Sequence, residues 1–344
     1  MTHLRTHLRT HLTNRDRAPR RLRRLRRRDR NALIAVSLTA LSLTASGCVV
    51  VHGEREVLPT TTRAEAAKAL RQFTDAYNKA DKAYDASLDA DHTTGALADI
   101  DSARLKAGHV NSPAGNSAHS ALEFDDVTYT IPKKAGWPRW FLADAHGNKG
   151  GDERWLLVFT RNSLNQPFQV AYLTLVAPDA VPKFTTDKDG WAEDVPANSA
   201  RLAVAPGDLS RDYATYLKSG GTAFADGPHT SGWRTDRKKS TKPGLATQYI
   251  DEPLTDGDYA PLALRTTDGG AAVFFTTRYY AKETAAAGTS VPAPNLSVKA
   301  LTKGEIKQSL TMQFVSNQVA LDPAGTGKVS ILGRIQGLTS AQGS

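Results

Sequence analysis

The single cysteine of the 344-residue chain, Cys48, is the feature that most constrains what can fold. It follows a cationic N-terminal region, an apolar run over residues 32–43 and three small residues, Ala45, Ser46 and Gly47. These three features in this order are typical of a signal peptide. The apolar run is shorter than the roughly 20 residues of a spanning helix, so a single-pass anchor is the weaker alternative. We therefore expect residues 1–47 to be removed, by either the Sec or the twin-arginine route.

The segment Ala45-Ser46-Gly47-Cys48 resembles the lipobox of bacterial lipoproteins, although Ala45 stands where leucine is commoner. The resemblance implies that a diacylglyceryl group is attached to the Cys48 thiol and that the chain is then cut before this residue. Two acyl chains anchor firmly where one is marginal. Palmitate-type acylation at the outer face of the cell membrane is thus expected, with residues 48–61 as a tether.

The net charge of +9 would ordinarily indicate a nucleic-acid partner. Twelve arginines and only two acidic residues lie within residues 1–47, which leaves 32 basic and 33 acidic residues in the remainder. The basic excess therefore belongs to the segment that is removed. We expect no nucleic-acid binding by the mature protein.

With Cys48 acylated, the mature chain has no thiol for disulfides or for thiolate metal sites. Its stability must come from an apolar core. Because domains commonly hold about 100–200 residues, we predict two domains, over residues 62–200 and 201–338, and a tail over 339–344.

A long amphipathic helix is predicted from Thr62 to about Leu88. Thr62 and Glu65 have the spacing of a capping box, and apolar residues then recur every three or four positions. A second helix is predicted over residues 96–106, ended by Gly108.

Strands follow, and the order of helix and then strands occurs twice. In the first half we predict strands Leu122–Ile131, with a bulge at Asp125-Asp126, Trp140–Ala145, Arg154–Thr160 and Gln169–Val176, then a hairpin turn at Asp187–Gly190. In the second half we predict a helix Leu209–Ser219, a loop and helix over 224–249, and strands Tyr259–Thr266, Ala271–Lys282, Leu296–Leu301, Glu305–Leu321 and Lys328–Ile335. The fold class is therefore α+β, with tandem units of helices packed on curved antiparallel sheets.

Two resemblances bear on this architecture. The segment from Ala69 to Asp81 looks like the first helix of nuclear-transport-factor-2-like domains, which implies a cone-shaped or cystatin-like sheet. The pattern of Trp137–Phe141, Trp155–Phe159, 203–206 and 224–230 is similar to actinobacterial secreted lipoproteins whose domain has no assigned function. Neither likeness brings an activity.

We identify no catalytic or metal-binding motif and expect no cofactor. Gly-x-Ser-x-Gly, Ser-x-x-Lys and His-Glu-x-x-His do not occur in the sequence. The aromatic residues are either core or the lining of a pocket under the first helix; the candidate pocket residues are Tyr77, Tyr84, Trp140 and Trp155. The basic run Arg234–Lys242 is a solvated loop or a dock for anionic lipid headgroups or cell-wall polymers.

These features favour a non-enzymatic binding or interaction module at the cell surface, with an unidentified protein or cell-wall partner. The alternatives are an envelope hydrolase with a pocket in the α+β domain, or a subunit of an export or cell-wall assembly.

The lipid anchor yields a first prediction. Replacing the acylated thiol in Cys48→Ala should abolish metabolic labelling with a palmitate analogue, and the protein should leave the membrane fraction or stay unprocessed. Unchanged labelling of the variant would contradict acylation at Cys48.

Overall fold

The computed structural model describes residues 56–239 and 243–344. The predicted signal peptide, the lipobox residues Ala45, Ser46 and Gly47, Cys48 and the tether before Glu56 lie outside the described residues. So does the end of the basic run at Lys242.

Five α-helices are numbered here in chain order: α1 Arg63–Ala83, α2 Gly95–Asn111, α3 Leu209–Ser219, α4 Trp233–Lys239 and α5 Leu296–Leu301. Thr62 caps α1 as predicted, since its hydroxyl accepts a hydrogen bond from the Glu65 backbone N–H at 3.1 Å. The Glu65 carboxylate instead accepts from the Thr61 hydroxyl at 2.7 Å, so the capping box is only half formed. Helix α1 is shorter than predicted, because Tyr84 takes a left-handed conformation with φ of 52° and ends it.

Gly108 does not end the second helix, which continues to Asn111. A Cβ atom at Gly108 would lie 2.3 Å from Cδ1 of Tyr84. The glycine therefore lets the Tyr84 ring pack against α2, a tertiary requirement that looks like a stop signal in the sequence.

Thirteen strands lie in the described residues: β1 Leu58–Pro59, β2 Phe124–Thr130, β3 Pro132–Lys134, β4 Arg139–Gly147, β5 Arg154–Arg161, β6 Gln169–Val176, β7 Ala192–Glu193, β8 Leu245–Leu254, β9 Leu262–Arg265, β10 Ala271–Ala285, β11 Thr302–Lys303, β12 Ser309–Asp322 and β13 Ser330–Gly343. They form a four-stranded sheet of order β2-β4-β5-β6, a sheet of order β11-β13-β12-β10-β8 with β9 paired to β10, and a small sheet of order β1-β3-β7. The bulge predicted at Asp125-Asp126 is present, and Asp126 has a φ of 44°.

Strands β4 and β5 are buried on both faces, which explains their unbroken apolar sequences. One face packs under α1 in a cluster that includes Phe73, Phe141 and Phe159. The other face meets the six-stranded sheet in a cluster that includes Trp140, Leu156 and Phe274. The far face of the six-stranded sheet is covered by α3 through Tyr213 and Phe275. The layers are thus helix, sheet, sheet and helix.

The α+β class is confirmed, with mainly antiparallel strands. The likeness to nuclear-transport-factor-2-like domains stays a prediction, as does the division into two domains near residue 200. Residues from both halves of the chain contribute to the cluster between the two large sheets.

Two predictions in the second half are wrong. Leu296–Leu301 is a helix capped by Asn295, and the residues it buries are Val298 and Leu301, at helical spacing. The expected helix up to residue 249 ends at Lys239, and Leu245–Leu254 is a strand. The last strand also includes residues expected as a tail, since β13 reaches Gly343 and pairs with β12.

The phase of α1 gives a second prediction. Phe73 is fully buried against the four-stranded sheet, whereas Lys79 is exposed. Phe73→Asp should lower the free energy of unfolding by about 3–5 kcal/mol, because it removes a large buried ring and buries an unpaired carboxylate. Lys79→Asp should cost well under 1 kcal/mol, as surface substitutions usually do. Urea unfolding of the two variants checks this, and equal losses would contradict the phase of α1.

Candidate binding cleft

The four residues predicted to line a pocket do not converge on one. Trp155 lies on the face of the four-stranded sheet that α1 covers, and Tyr77 of α1 packs against the same cluster. Trp140 lies on the opposite face, where its Nε1 donates to Asp194 at 2.8 Å. Trp155 on β5 pairs with Ala145 on β4, so these two side chains lie on the same face of the sheet. Ala145 is five residues after Trp140, and residues an odd number apart along a strand point to opposite faces, so Trp140 and Trp155 lie on opposite faces. Tyr84 packs on α2 at the end of α1.

A cleft of about 400 Å³ lies instead between α3, α4 and β8. Its lining residues are Leu217, Lys218, Arg234, Arg237, Lys238, Thr247, Tyr249 and Asp251. The basic run noted in the sequence thus supplies three of the four cations, and the strand after it supplies the one carboxylate.

Arg237 forms the floor of the cleft. Its two Nη atoms donate to both carboxylate oxygens of Asp251, at 2.6 and 2.7 Å. The guanidinium also lies 5.0, 4.6 and 4.9 Å from the ring centres of Trp233, Tyr249 and Tyr279. A buried bidentate pair with aromatic walls is rigid, so the floor is ordered by the fold itself.

A second arginine, Arg334, lies behind this floor on β13. Its guanidinium is 4.4 Å from the Trp233 ring centre, and its Nη2 donates to Gln336 at 2.6 Å. Burial lowers the pKa of Arg334 from the ordinary arginine value. In the described part of the chain, neither Arg334 Nε nor Trp233 Nε1 has a hydrogen-bond partner. The interior next to the cleft is therefore rich in positive charge and in donors.

The rim is formed by Lys218 and Arg234. The Arg234 guanidinium lies 5.3 Å from the Tyr216 ring centre, and its Nε donates to the Leu217 carbonyl at 3.3 Å. Gly220 has a φ of 79°, and a Cβ there would lie 2.6 Å from Arg234 Nη1. The glycine after α3 thus lets Arg234 lie against the end of this helix. Lys218 is exposed at the same end of α3.

Chemically, this arrangement suits an anionic group. Four cations and one carboxylate line the cleft, so its field is positive, and Tyr249 and Leu217 add surface for a carbon body. The sequence shows the basic run but not the aromatic floor beneath it. Tyr249 lies in the predicted loop-and-helix segment, and Tyr279 and Arg334 come from strands distant in sequence.

A second cluster of ionisable residues joins α1 to α2. Arg104 donates to Asp81 at 2.5 Å and, through Nη2, to Asp101 at 2.8 Å. Asp81 also contacts His119 Nδ1 at 2.7 Å. Burial alone would raise the pKa of Asp81, but the hydrogen bonds with His119 and Arg104 hold it below the ordinary value. Burial, and then the charge of Asp101, raise the pKa of Tyr77 to about 12.

Asp89 is the most perturbed carboxyl group of this cluster and is 2 % exposed. Burial, a hydrogen bond with Asp101 and the charge of that residue raise the pKa of Asp89 to about 8. Two carboxyl groups that close cannot both ionise without cost, so Asp89 keeps its proton at neutral pH. The cluster fastens helices together and does not line the cationic cleft.

Comparisons with known proteins find a matching family model and similar lipoproteins. A family model for a domain of unknown function, DUF8094, matches residues 57–343. An uncharacterized lipoprotein of Streptomyces coelicolor is 71 % identical over 329 residues, which cover 95 % of this chain and 99 % of that protein. An uncharacterized lipoprotein of Streptomyces avermitilis is 58 % identical over 334 residues, or 96 % and 99 % of the two chains. A further Streptomyces coelicolor lipoprotein is 25 % identical over 346 residues, or 90 % and 94 %.

The chain is thus an α+β protein of an actinobacterial lipoprotein family. It belongs to the family defined by the domain of unknown function DUF8094. No solved structure matches the chain. Within residues 56–239 and 243–344, no helix is long and apolar enough to cross a membrane.

The carboxyl pair gives a third prediction. The unfolded chain releases the Asp89 proton near pH 4, whereas the folded protein holds it to about pH 8. The folded state therefore binds more protons in this range, and the stability contributed by Asp89 is full below pH 4 and is lost as the pH rises to 8. Asp89→Asn keeps the side chain neutral, so the melting temperature should fall less between pH 5 and 8 than in the unmodified protein.

Asp85→Asn is the matched control, since Asp85 is exposed and hydrogen bonds with Ser87 lower the pKa of this carboxyl group. This variant should not flatten the pH dependence. A slope that Asp89→Asn leaves unchanged would show that Asp89 is ionised in the folded protein.

Proposed function

We propose that the protein is an exported binding module, held at the outer face of the cell membrane by diacylglyceryl on Cys48, which binds an anionic envelope ligand in the cationic cleft. The cleft itself carries the proposal, because four cations surround one carboxylate over a preordered aromatic floor.

Membrane attachment is supported by the lipoprotein names of the relatives and by the sequence before Cys48. The anchor fixes the binding domain beside lipid headgroups and cell-wall polymers. Many of these molecules carry phosphate or carboxylate groups.

The ligand class follows from the side chains at the cleft. Arg234 and Lys218 at the rim suit contact with a phosphate or carboxylate. Asp251 already pairs with both Nη atoms of Arg237 and balances its charge, so this arginine contributes stacking surface, and the positive charge comes from the other cations of the cleft. Tyr249 offers a ring for a sugar or glycerol body. A volume of about 400 Å³ holds one or two repeat units of such a polymer.

A hydrolase is the second reading, and the site chemistry favours binding over it. General acid–base catalysis most often uses a histidine, and the described residues that line the cleft include none; carboxyl groups are also frequent in this role. The side chain of Asp251, the one carboxylate of the cleft, is 3 % exposed and paired with Arg237. Asp89, with a pKa suited to acid–base work, is buried between helices. A role as a subunit of an export or cell-wall assembly would place a protein partner on the same cations.

The fourth prediction tests the cleft. Lys218→Glu combined with Arg234→Glu should weaken binding of the purified chain from residue 49 onward at least tenfold, since it reverses the charge of the rim. Binding to phosphatidylglycerol vesicles, phosphatidylcholine vesicles and soluble poly(glycerol phosphate) is measured at several salt concentrations. Recognition of a lipid headgroup predicts binding to the phosphatidylglycerol vesicles. Recognition of a cell-wall polymer predicts binding to poly(glycerol phosphate).

Lys303→Glu combined with Lys328→Glu is the matched control, because both lysines are exposed and the change in net charge is the same. This control should bind like the unmodified protein. Equal weakening by both double variants would indicate a general charge effect, and no binding to either anionic probe would contradict an anionic ligand.

A further inference from the structure

The described chain begins at the small sheet β1-β3-β7, the part of the fold to which the tether connects. Leu58 pairs with Lys134 and Pro59 with Lys133. Val57 is 59 % exposed and Leu58 is 43 % exposed, so two large apolar side chains face solvent where the chain enters the domain.

Covalent geometry keeps this entry point close to the membrane. Eight residues lie between Cys48 and Val57, so nine Cα–Cα steps of at most about 3.5 Å give a maximum reach of about 30 Å. A domain of this length has a diameter of about 50 Å. The tether is therefore shorter than the domain, so an acylated Cys48 would hold the sheet β1-β3-β7 within about 30 Å of the bilayer surface.

The surface beside this entry point has the composition of a membrane interface. Val57, Lys133 and Trp191 line one concavity of about 430 Å³, together with two threonines, one alanine and three acidic residues. The Arg63 guanidinium lies 4.7 Å from the Trp191 ring centre and donates to the Gly190 carbonyl at 3.4 Å. Tryptophan with basic side chains is typical of the level of lipid headgroups, where one end of the side chain is apolar and the other is wet.

The three acidic residues of the concavity each have a partner. Asp187 pairs with Lys133 at 2.5 Å, Glu193 pairs with Arg265 at 3.3 Å, and Asp194 accepts a hydrogen bond from Trp140 Nε1 at 2.8 Å. Arg63 and Lys134 add positive charge. The face is thus suited to a bilayer through apolar and aromatic contacts more than through net charge.

We propose that this anchor-side face, the exposed edge of the small sheet at which Val57 and Leu58 point to opposite sides and Arg63, Lys134 and Trp191 lie nearby, rests edge-on on the bilayer that holds the lipid anchor. The inference rests on the acylation of Cys48 proposed above. The lipid anchor keeps the domain at a high effective concentration beside the bilayer, so weak contacts of a few side chains with the lipids suffice to orient it. The two exposed apolar residues and Trp191 enter the headgroup region, and the cationic groups lie among the lipid phosphates.

Depth-dependent quenching tests the face in the full lipoprotein reconstituted in vesicles that contain brominated lipid. Because acylation consumes the thiol of the only cysteine, Leu58→Cys provides a single site for a fluorophore. Leu164→Cys is the control, since Leu164 is 75 % exposed in the loop between β5 and β6. We expect bromine to quench the probe at residue 58 several-fold more strongly than the probe at residue 164, with little dependence on salt.

A second variant separates contact from mere proximity. Val57→Asp with Trp191→Ala should remove most of the quenching at residue 58 while acyl labelling and membrane fractionation stay unchanged. Equal quenching at residues 58 and 164, with acyl labelling intact, overturns the anchor-side face and leaves the anchor standing. Loss of acyl labelling in the unmodified protein overturns the anchor and removes the premise of the face. The charge variants of the cleft, Lys218→Glu with Arg234→Glu, should leave this quenching unchanged.

Discussion

The contact between the two large sheets is the interaction on which the rest of the structure depends. Strands β4 and β5 place Trp140, Leu142, Leu156 and Val158 against the six-stranded sheet, and these side chains are fully buried. Burial of apolar area contributes roughly 25 cal/mol per Å², so several such residues outweigh any single polar contact described above. The first half of the chain thereby holds in place the sheet that carries the cleft.

The cleft inherits its geometry from that six-stranded sheet. Tyr279 on β10 pairs directly with Asp251 on β8 and with Phe314 on β12. Its ring stacks on that of Phe314 with centres 4.7 Å apart. A register shift of one residue would turn Tyr279 to the other side of the sheet and remove a wall of the Arg237 site. The seven-residue helix α4 is too short to be stable alone, so the Arg237–Asp251 pair also fixes this helix to the sheet.

Much of this fold was predictable from local patterns. The cap at Thr62, the bulge at Asp125-Asp126 and helix α3 follow from residue types at fixed offsets, and the structure has all three. The predictions that are wrong concern residues whose roles depend on partners distant in sequence. Gly108 makes room for the Tyr84 ring, and Trp140 packs against a sheet formed by the second half of the chain.

The candidate site shows the same division between local and distant information. A run of cations is visible in the sequence, but three rings and a carboxylate from separate elements turn it into a cleft. No spacing rule joins Trp233 to Tyr249, Tyr279 and Asp251, because they meet only after the strands have paired. For the same reason, the sequence leaves the aromatic cluster of the first half as either core or pocket lining, with core favoured, and the structure uses Phe141, Phe159 and Trp140 as core.

The bidentate pair between Arg237 and Asp251 has a consequence for selectivity. A guanidinium whose forked donors are engaged by the protein cannot offer the same fork to a guest, so an anionic guest is held by the electric field of the remaining cations of the cleft. The Coulomb energy between charges varies slowly with the position and shape of the guest, whereas a bidentate hydrogen-bonded contact forms in one geometry only. A receptor of this kind discriminates weakly among anions, and it tolerates sliding along a chain of repeated phosphates.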